Sequence, residues 1–306
     1  MNNALLSRFP GVIGFPVTPF SSDGVFDAAA MKVNLQPMME SNLAALVFCG
    51  RNGELQSLTL EEYHQIADVA ASVVQGRKGL VFGAGQSLRV AEEQVRAARH
   101  KGADAVLVMA PYTNDANEPG LADYYRRVAE AAELPVFLYQ TKWSGVLPLS
   151  LLEKLAKVEN IAMVKDENGD LSHYLQVRRH FGDRFFWVNG MAEPFVPSYW
   201  NLGVTTFTSG LACFIPQITM EIFEEAQRGN FARINQLLDE VITPLYEIRN
   251  RRPGYKGSMI KTGMNLVGLK GGCVRPPLIE LSREDREDLE GLLEKIGAPS
   301  ARGVTV

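Results

Sequence analysis

The sequence predicts an α/β protein, a (β/α)8 barrel extended by helices at its C-terminal end. Three observations point there. Eight short apolar runs recur before residue 210 of the 306. Segments with apolar residues at helical spacing lie between them. Each strand-plus-helix unit takes roughly 20–35 residues, the spacing of repeated βα units that build a parallel sheet. A doubly wound open sheet alternates in the same way, and the count of eight favours closure into a barrel.

The first run, Gly11-Val12-Ile13-Gly14-Phe15-Pro16, reads as a strand closed by proline. A helix is predicted over 28–40 with Asp27 as its N-cap. The second strand, 44–48, is ended by Gly50. Thr59 opens a capping box with Glu62, and Ile66, Val69, Ala70 and Val73 follow at helical spacing. The third strand, 79–82, runs into Gly83-Ala84-Gly85. Leu88 stands where a dinucleotide fingerprint needs its third glycine, so these glycines read as a tight strand-to-helix turn. A helix over 87–101 is closed by Gly102. The fourth strand, 105–109, leads to Pro111-Tyr112, a polar loop and a helix over 121–132. The fifth strand is 136–139, with a helix over 149–158 after Pro148. The sixth, 161–165, is four apolar residues ending in Lys165. A helix over 171–181, strands over 185–189 and 204–208 and a helix starting at Pro216 complete a barrel of residues 1–228. After Gly229 the strand pattern stops. Residues 229–306 read as helices packed on the barrel, running to residue 296, with a frayed tail from 297.

Bulk chemistry excludes whole classes of function. A net charge of -4 leaves no basic footprint for nucleic acid. No apolar run approaches the roughly 20 residues of a membrane span, so no membrane partner is expected. Residues 1–20 lack the charged start, apolar stretch and cleavage site of a secretory signal. Cys49, Cys213 and Cys273 are far apart and odd in number. Free thiols in a reducing compartment, with the cytoplasm as default, are the expectation.

Active sites of such barrels sit at the C-terminal ends of the strands. Those ends supply Gly50-Arg51-Asn52-Gly53-Glu54, Gly83 and Gly85, Tyr112, Tyr139, Lys165, Asn189 with Gly190, and Thr208 with Ser209. His64, His100, His173 and His180 fall in helical stretches, and carboxylates do not cluster at the strand ends. Neither a metal site nor a Ser-His-Asp triad is therefore expected. Lys165 stands out at the end of a buried strand. Burying an ammonium is costly unless it pairs or loses its proton, and a neutral amine attacks a ketone to form a Schiff base. Glycines let backbone N–H groups approach and hold a carboxylate. A tyrosine on a facing strand moves protons. A protonated imine is itself an electron sink, so this set requires no metal and no organic cofactor. The alternatives are structural: Lys165 paired with Asp166 or another carboxylate, Tyr139 capping a barrel layer, Gly50 and Gly53 as turn residues.

Taken together, Phe15-Pro16-Val17-Thr18-Pro19-Phe20, Gly50-Arg51-Asn52-Gly53-Glu54, Ala110-Pro111-Tyr112, Leu138-Tyr139 and Val164-Lys165-Asp166 resemble the dihydrodipicolinate synthase/N-acetylneuraminate lyase family. These are class I aldolases and dehydratases, and the resemblance covers nearly the whole chain. Lys165-Asp166 followed by Gly169-Asp170, then Leu202-Gly203-Val204-Thr205-Thr206, Arg251-Arg252-Pro253-Gly254-Tyr255 and Val274-Arg275-Pro276-Pro277-Leu278, is most similar to its 5-dehydro-4-deoxyglucarate dehydratase branch. That branch dehydrates and decarboxylates a sugar-derived oxo-diacid to 2,5-dioxopentanoate. The resemblance implies Lys165 as imine former, Tyr139 as acid/base and the amides of Gly50, Arg51 and Asn52 as the carboxylate cradle. It also implies a homotetramer, a dimer of dimers, in which Tyr112 reaches a neighbouring site. Gly190 and Ser209, at the ends of the last two strands, complete the expected binding set.

The sequence departs from the family pattern at three places. Arg51 and Asn52 replace two hydroxyl residues, and Gln140-Thr141-Lys142-Trp143-Ser144-Gly145 after Tyr139 contains no arginine. A catabolic lyase acting on a small 2-oxo acid is therefore favoured over dihydrodipicolinate synthase itself. Arg51 either grips a second carboxylate or hydroxyls of a longer substrate or pairs with Glu54. A pyruvate-dependent aldolase and a barrel that binds an oxo acid without turning it over are the competing functions.

Overall fold

Runs of Val, Ile, Leu, Phe and Met that are buried on both faces form parallel strands only when helices cover one face and a packed interior the other. That is the arrangement found in the computed structural model, which describes residues 8–112 and 115–299. Eight strands pair in sequence order: β1 Val12–Gly14, β2 Ala45–Phe48, β3 Gly79–Ala84, β4 Ala105–Met109, β5 Val136–Thr141, β6 Ile161–Glu167, β7 Phe186–Asn189 and β8 Phe207–Ser209. The sheet closes when β8 pairs with β1, giving the (β/α)8 barrel. Outside it lie α1 Ala28–Glu40, α2 Leu60–Val74, α3 Leu88–His100, α4 Glu118–Ala132, α5 Leu149–Leu155, α6 Leu171–Phe181, α7 Val196–Asn201 and α8 Pro216–Arg228. The caps form as the sequence suggests. Asp27 accepts the Ala30 N–H at 2.8 Å, and Thr59 and Glu62 cap each other's backbone at 3.1 and 3.0 Å.

Four helices follow: α9 Phe231–Leu237, α10 Thr243–Asn250, α11 Tyr255–Leu266 and α12 Arg283–Lys295, with a π-helical turn over Leu238–Ile242 joining the first two. One continuous hydrophobic core runs from Phe9 to Leu293. Helices α10 and α11 bring Tyr246, Arg249, Lys256 and Ile260 into the wall of the cavity at the strand C-terminal ends. Among the described residues, no helix is long and apolar enough to cross a membrane.

Four details depart from expectation. Strands β5 and β6 run two residues further, because Gln140 pairs with Asp166 and Thr141 with Glu167 across the ladder. Polar residues are no obstacle there, since each backbone group has a partner. Strand β8 is shorter, because the Val204 N–H bonds to the Tyr199 carbonyl at 2.9 Å instead of joining the sheet. Gly83 lies inside β3 and not in a turn: a side chain there would run into the Cys49 carbonyl oxygen, so close backbone approach explains it. Helix α7 occupies a stretch without predicted structure. Of the expected frayed tail, residues 300–306 lie outside the described residues, as do 113 and 114 of the loop after Tyr112.

Candidate active site

Side chains alternate across a strand, so β6 sends Lys165 and Glu167 to one face and Asp166 to the other. Asp166 is accordingly no partner for the lysine. It accepts hydrogen bonds from Gln140 Nε2 at 2.9 Å, the Asn168 N–H at 2.9 Å and the Tyr199 hydroxyl. Lys165 Nζ donates to Glu167 Oε2 at 2.9 Å, and the Tyr139 hydroxyl donates to the same oxygen. Arg51 Nη1 reaches Glu167 Oε1 at 3.0 Å. Register explains the cluster, since Tyr139 is paired with Lys165, and Glu167 stands two residues beyond it. The ammonium nitrogen also lies 3.9 Å from the centre of the Tyr139 ring and 5.2 Å from that of Phe15.

The electrostatics follow from burial in this company. Lys165 is 4 % exposed. Desolvation pulls its pKa below the usual lysine range, with Glu167 acting in the opposite direction. Burial alone would raise the Glu167 pKa, but the charges of Lys165 and Arg51 and the hydrogen bonds it accepts outweigh this and bring it down to about 2. Burial, then the adjoining Glu167 charge, pushes Tyr139 well above its ordinary value. The result is one carboxylate joining an amine to a phenol inside a cavity of about 340 Å³, within the usual size range of small-molecule sites, about 300–1,000 Å³. A second cavity of about 330 Å³ shares Arg51, Tyr139 and Glu167 with it.

The remaining expected residues are dispersed around this centre. Asn52 lines both cavities, its Nδ2 3.4 Å from the Phe15 carbonyl oxygen. Arg51 pairs with Glu167 and not with Glu54. Glu54 is instead buried against Lys261 Nζ at 2.6 Å. Gly50 is packed under the Phe15 ring, and Phe15 takes the place in the lining. Tyr112 stands at the rim of the second cavity, 53 % exposed, its ring centre 5.4 Å from that of Trp143. Gly190 lines the first cavity and donates its N–H to the Asp166 carbonyl at 2.8 Å. A Cβ at Gly190 would sit 2.8 Å from that same oxygen. Ser209 turns away, its hydroxyl bonded to Glu193 and Thr219, and Thr208 and Gly210 supply the lining.

The sequence named Asp166 or another carboxylate as a structural partner of Lys165 and no carboxylate as a working group; the partner is Glu167, which also holds Tyr139. Its signal was present in the alternation Lys165-Asp166-Glu167. Tyr246, Arg249 and Lys256 had no such signal, because they come from helices whose docking is tertiary. Since Glu167 holds the Lys165 proton in place, Glu167→Gln is expected to shift the acid limb of the imine-capture rate to lower pH. The carboxylamide removes the charge that favours the ammonium, so the neutral amine appears earlier as pH rises. Reductive trapping followed across pH by mass spectrometry checks this; an unmoved limb would show that Glu167 does not govern the amine.

The comparisons place the chain as a whole. Residues 8–296 match the model of the dihydrodipicolinate synthetase family. A probable 5-dehydro-4-deoxyglucarate dehydratase of Bacillus licheniformis is 33 % identical over 287 residues, 93 % of each chain. Its Bacillus subtilis counterpart is 32 % identical over 288 residues, again 93 % of each. Among solved structures, the dihydrodipicolinate synthase of Bacillus clausii superposes with a TM-score of 0.89 at 29 % identity, covering 96 % of this chain and 99 % of that one. The one from Oceanobacillus iheyensis gives 0.89 at 28 %, covering 95 % and 97 %. The protein is a lyase of the Schiff-base type acting on an oxo acid, and the chain belongs to the dihydrodipicolinate synthetase family.

Proposed function

We propose that the chain dehydrates a sugar-acid-derived 2-oxo acid resembling 5-dehydro-4-deoxyglucarate through an imine on Lys165. One observation carries this reading: a buried amine whose carboxylate partner also holds the hydroxyl of Tyr139. The dehydratase names of the relatives support the choice of reaction. The neutral amine of Lys165 attacks the 2-oxo carbon. The proton it releases, and the one that lets the carbinolamine oxygen leave as water, pass along Tyr139 and Glu167. The iminium carries the same charge as the ammonium, so it takes up the ammonium's pairing with Glu167. Loss of a proton from the adjacent carbon gives an enamine, whose electrons expel the hydroxyl of the next carbon. The Tyr139–Glu167 pair takes that carbon's proton and hands it to the departing hydroxyl, which leaves as a second water. Hydrolysis of the conjugated iminium returns the free amine.

Tyr139→Phe is expected to lower kcat by roughly 10²–10⁴, the range for a general acid/base, in steady-state assays at substrate saturation. A panel of deoxy-oxo sugar acids followed by NMR tests the reaction itself. Water loss from an oxo-diacid is the expected outcome. Pyruvate-dependent consumption of an aldehyde would assign the reverse chemistry, and ligand binding with no turnover of any acid would leave a binding barrel. The same reading includes a cytoplasmic enzyme assembled as a homotetramer. The exposed, tilted contact of the Tyr112 and Trp143 rings supports an assembled state, and light scattering checks it.

A further inference from the structure

The first cavity is strongly cationic. Arg51, Lys142, Lys165, Arg249 and Lys256 line it, and among the described lining residues Glu167 is the one acid. Its oxygens are already taken by Lys165, Tyr139 and Arg51. That leaves the cations from α10 and α11 without a carboxylate from the wall. Arg249 shows this directly: its Nε is buried and has no hydrogen-bond partner, and its guanidinium carbon lies 4.7 Å from the centre of the Tyr246 ring. A buried donor left unpaired is costly. Burial, with the charges of Arg51 and Arg249, pulls the Lys256 amine down to about 8, as expected where like charges are crowded.

From this we infer that Arg249 and Lys256 form a subsite for a second carboxylate, at the end of the substrate remote from the imine. The protein thus selects 2-oxo diacids over 2-oxo monoacids. Arg51, the earlier candidate for this task, is committed to Glu167. Arg249 offers a planar fork suited to a carboxylate, and Lys256 adds a point charge beside it. The cavity is also bounded by Tyr246 and Ile260, so an anion seated there is partly desolvated and its hydrogen bonds are strengthened. The inference rests on the imine reading for the placement of the other end of the ligand, but the subsite makes its own prediction about binding.

Calorimetric titration with 2-oxoadipate and with pyruvate tests it in the intact protein, Arg249→Ala and Lys256→Met. The wild-type protein is expected to prefer the diacid, and each variant to lower the diacid-to-monoacid affinity ratio by about 10- to 100-fold, the worth of one charge-assisted hydrogen bond. Unchanged melting temperatures would show that the loss is not one of folding. Absence of a preference in the wild-type protein, or a preference that survives in both variants, would overturn the subsite. Borohydride treatment of the same samples separates the two claims. A lost preference without any Lys165 adduct in the wild type would keep the subsite and reject the imine.

Discussion

Lys165→Met is expected to abolish turnover, by a factor on the order of 10⁴–10⁶, the scale reached when a covalent catalytic unit is broken. The argument is chemical. No other side chain in the cavity combines an amine with contact to both Glu167 and Tyr139 among the described residues. Lys256 is a second amine with a lowered pKa, yet it sits on α11 and is not the amine bonded to the Glu167 oxygen that holds Tyr139. The barrel should survive the change. Methionine fills a similar volume among Phe15, Tyr139 and the barrel interior, and Glu167 keeps its Arg51 pair. Single-turnover kinetics beside a thermal melt make the check. Turnover within 100-fold of the wild type, or a collapsed fold, would remove the lysine from the reaction or leave its role structural.

Lys261→Met is expected to destabilise the protein by about 3–5 kcal/mol, because breaking a buried ion pair strands the other charge. Both side chains of the Lys261–Glu54 pair are fully buried, with 2.6 Å between Nζ and Oε1. Lys261 also donates to the Cys273 carbonyl at 2.6 Å, and Glu54 accepts the Arg275 N–H at 3.1 Å. The pair ties α11 to the loop after β2, the same loop that presents Arg51 and Asn52. Cys49 and Glu54, at its two ends, hold left-handed φ values of 51° and 53°, a conformation that persists where surroundings impose it. Removing both charges, in Glu54→Gln with Lys261→Met, should recover part of the loss. Urea denaturation of the single and double variants beside the wild type measures it. A single variant as stable as the wild type would show that the pair contributes nothing to holding the loop.

The barrel was legible because its strands are written as apolar runs, each buried on both faces. Lys165 and Tyr139 were legible as polar groups at the ends of neighbouring strands. Glu167 was missed although the alternation carries it, because a strand was assumed to stop where its residues turn polar. Register between β5 and β6 decides otherwise. Ser209 and Gly50 show a different limit. Each adjoins a lining residue, but alternation and the intrusion of Phe15 decide which neighbour faces the cavity, and neither is written locally. Arg249 and Lys256 were read only as parts of helices, since their approach to the mouth depends on how α10 and α11 dock.

The central claim is that one nearly dry amine captures a ketone. Incubating the protein with a 2-oxo acid and borohydride, then digesting it and weighing the peptides, reads that event directly. A reduced adduct on the peptide bearing Lys165, absent from Lys165→Met, is the expected result. An unmodified Lys165 peptide with every 2-oxo acid offered, or an adduct located on Lys256 instead, would contradict it.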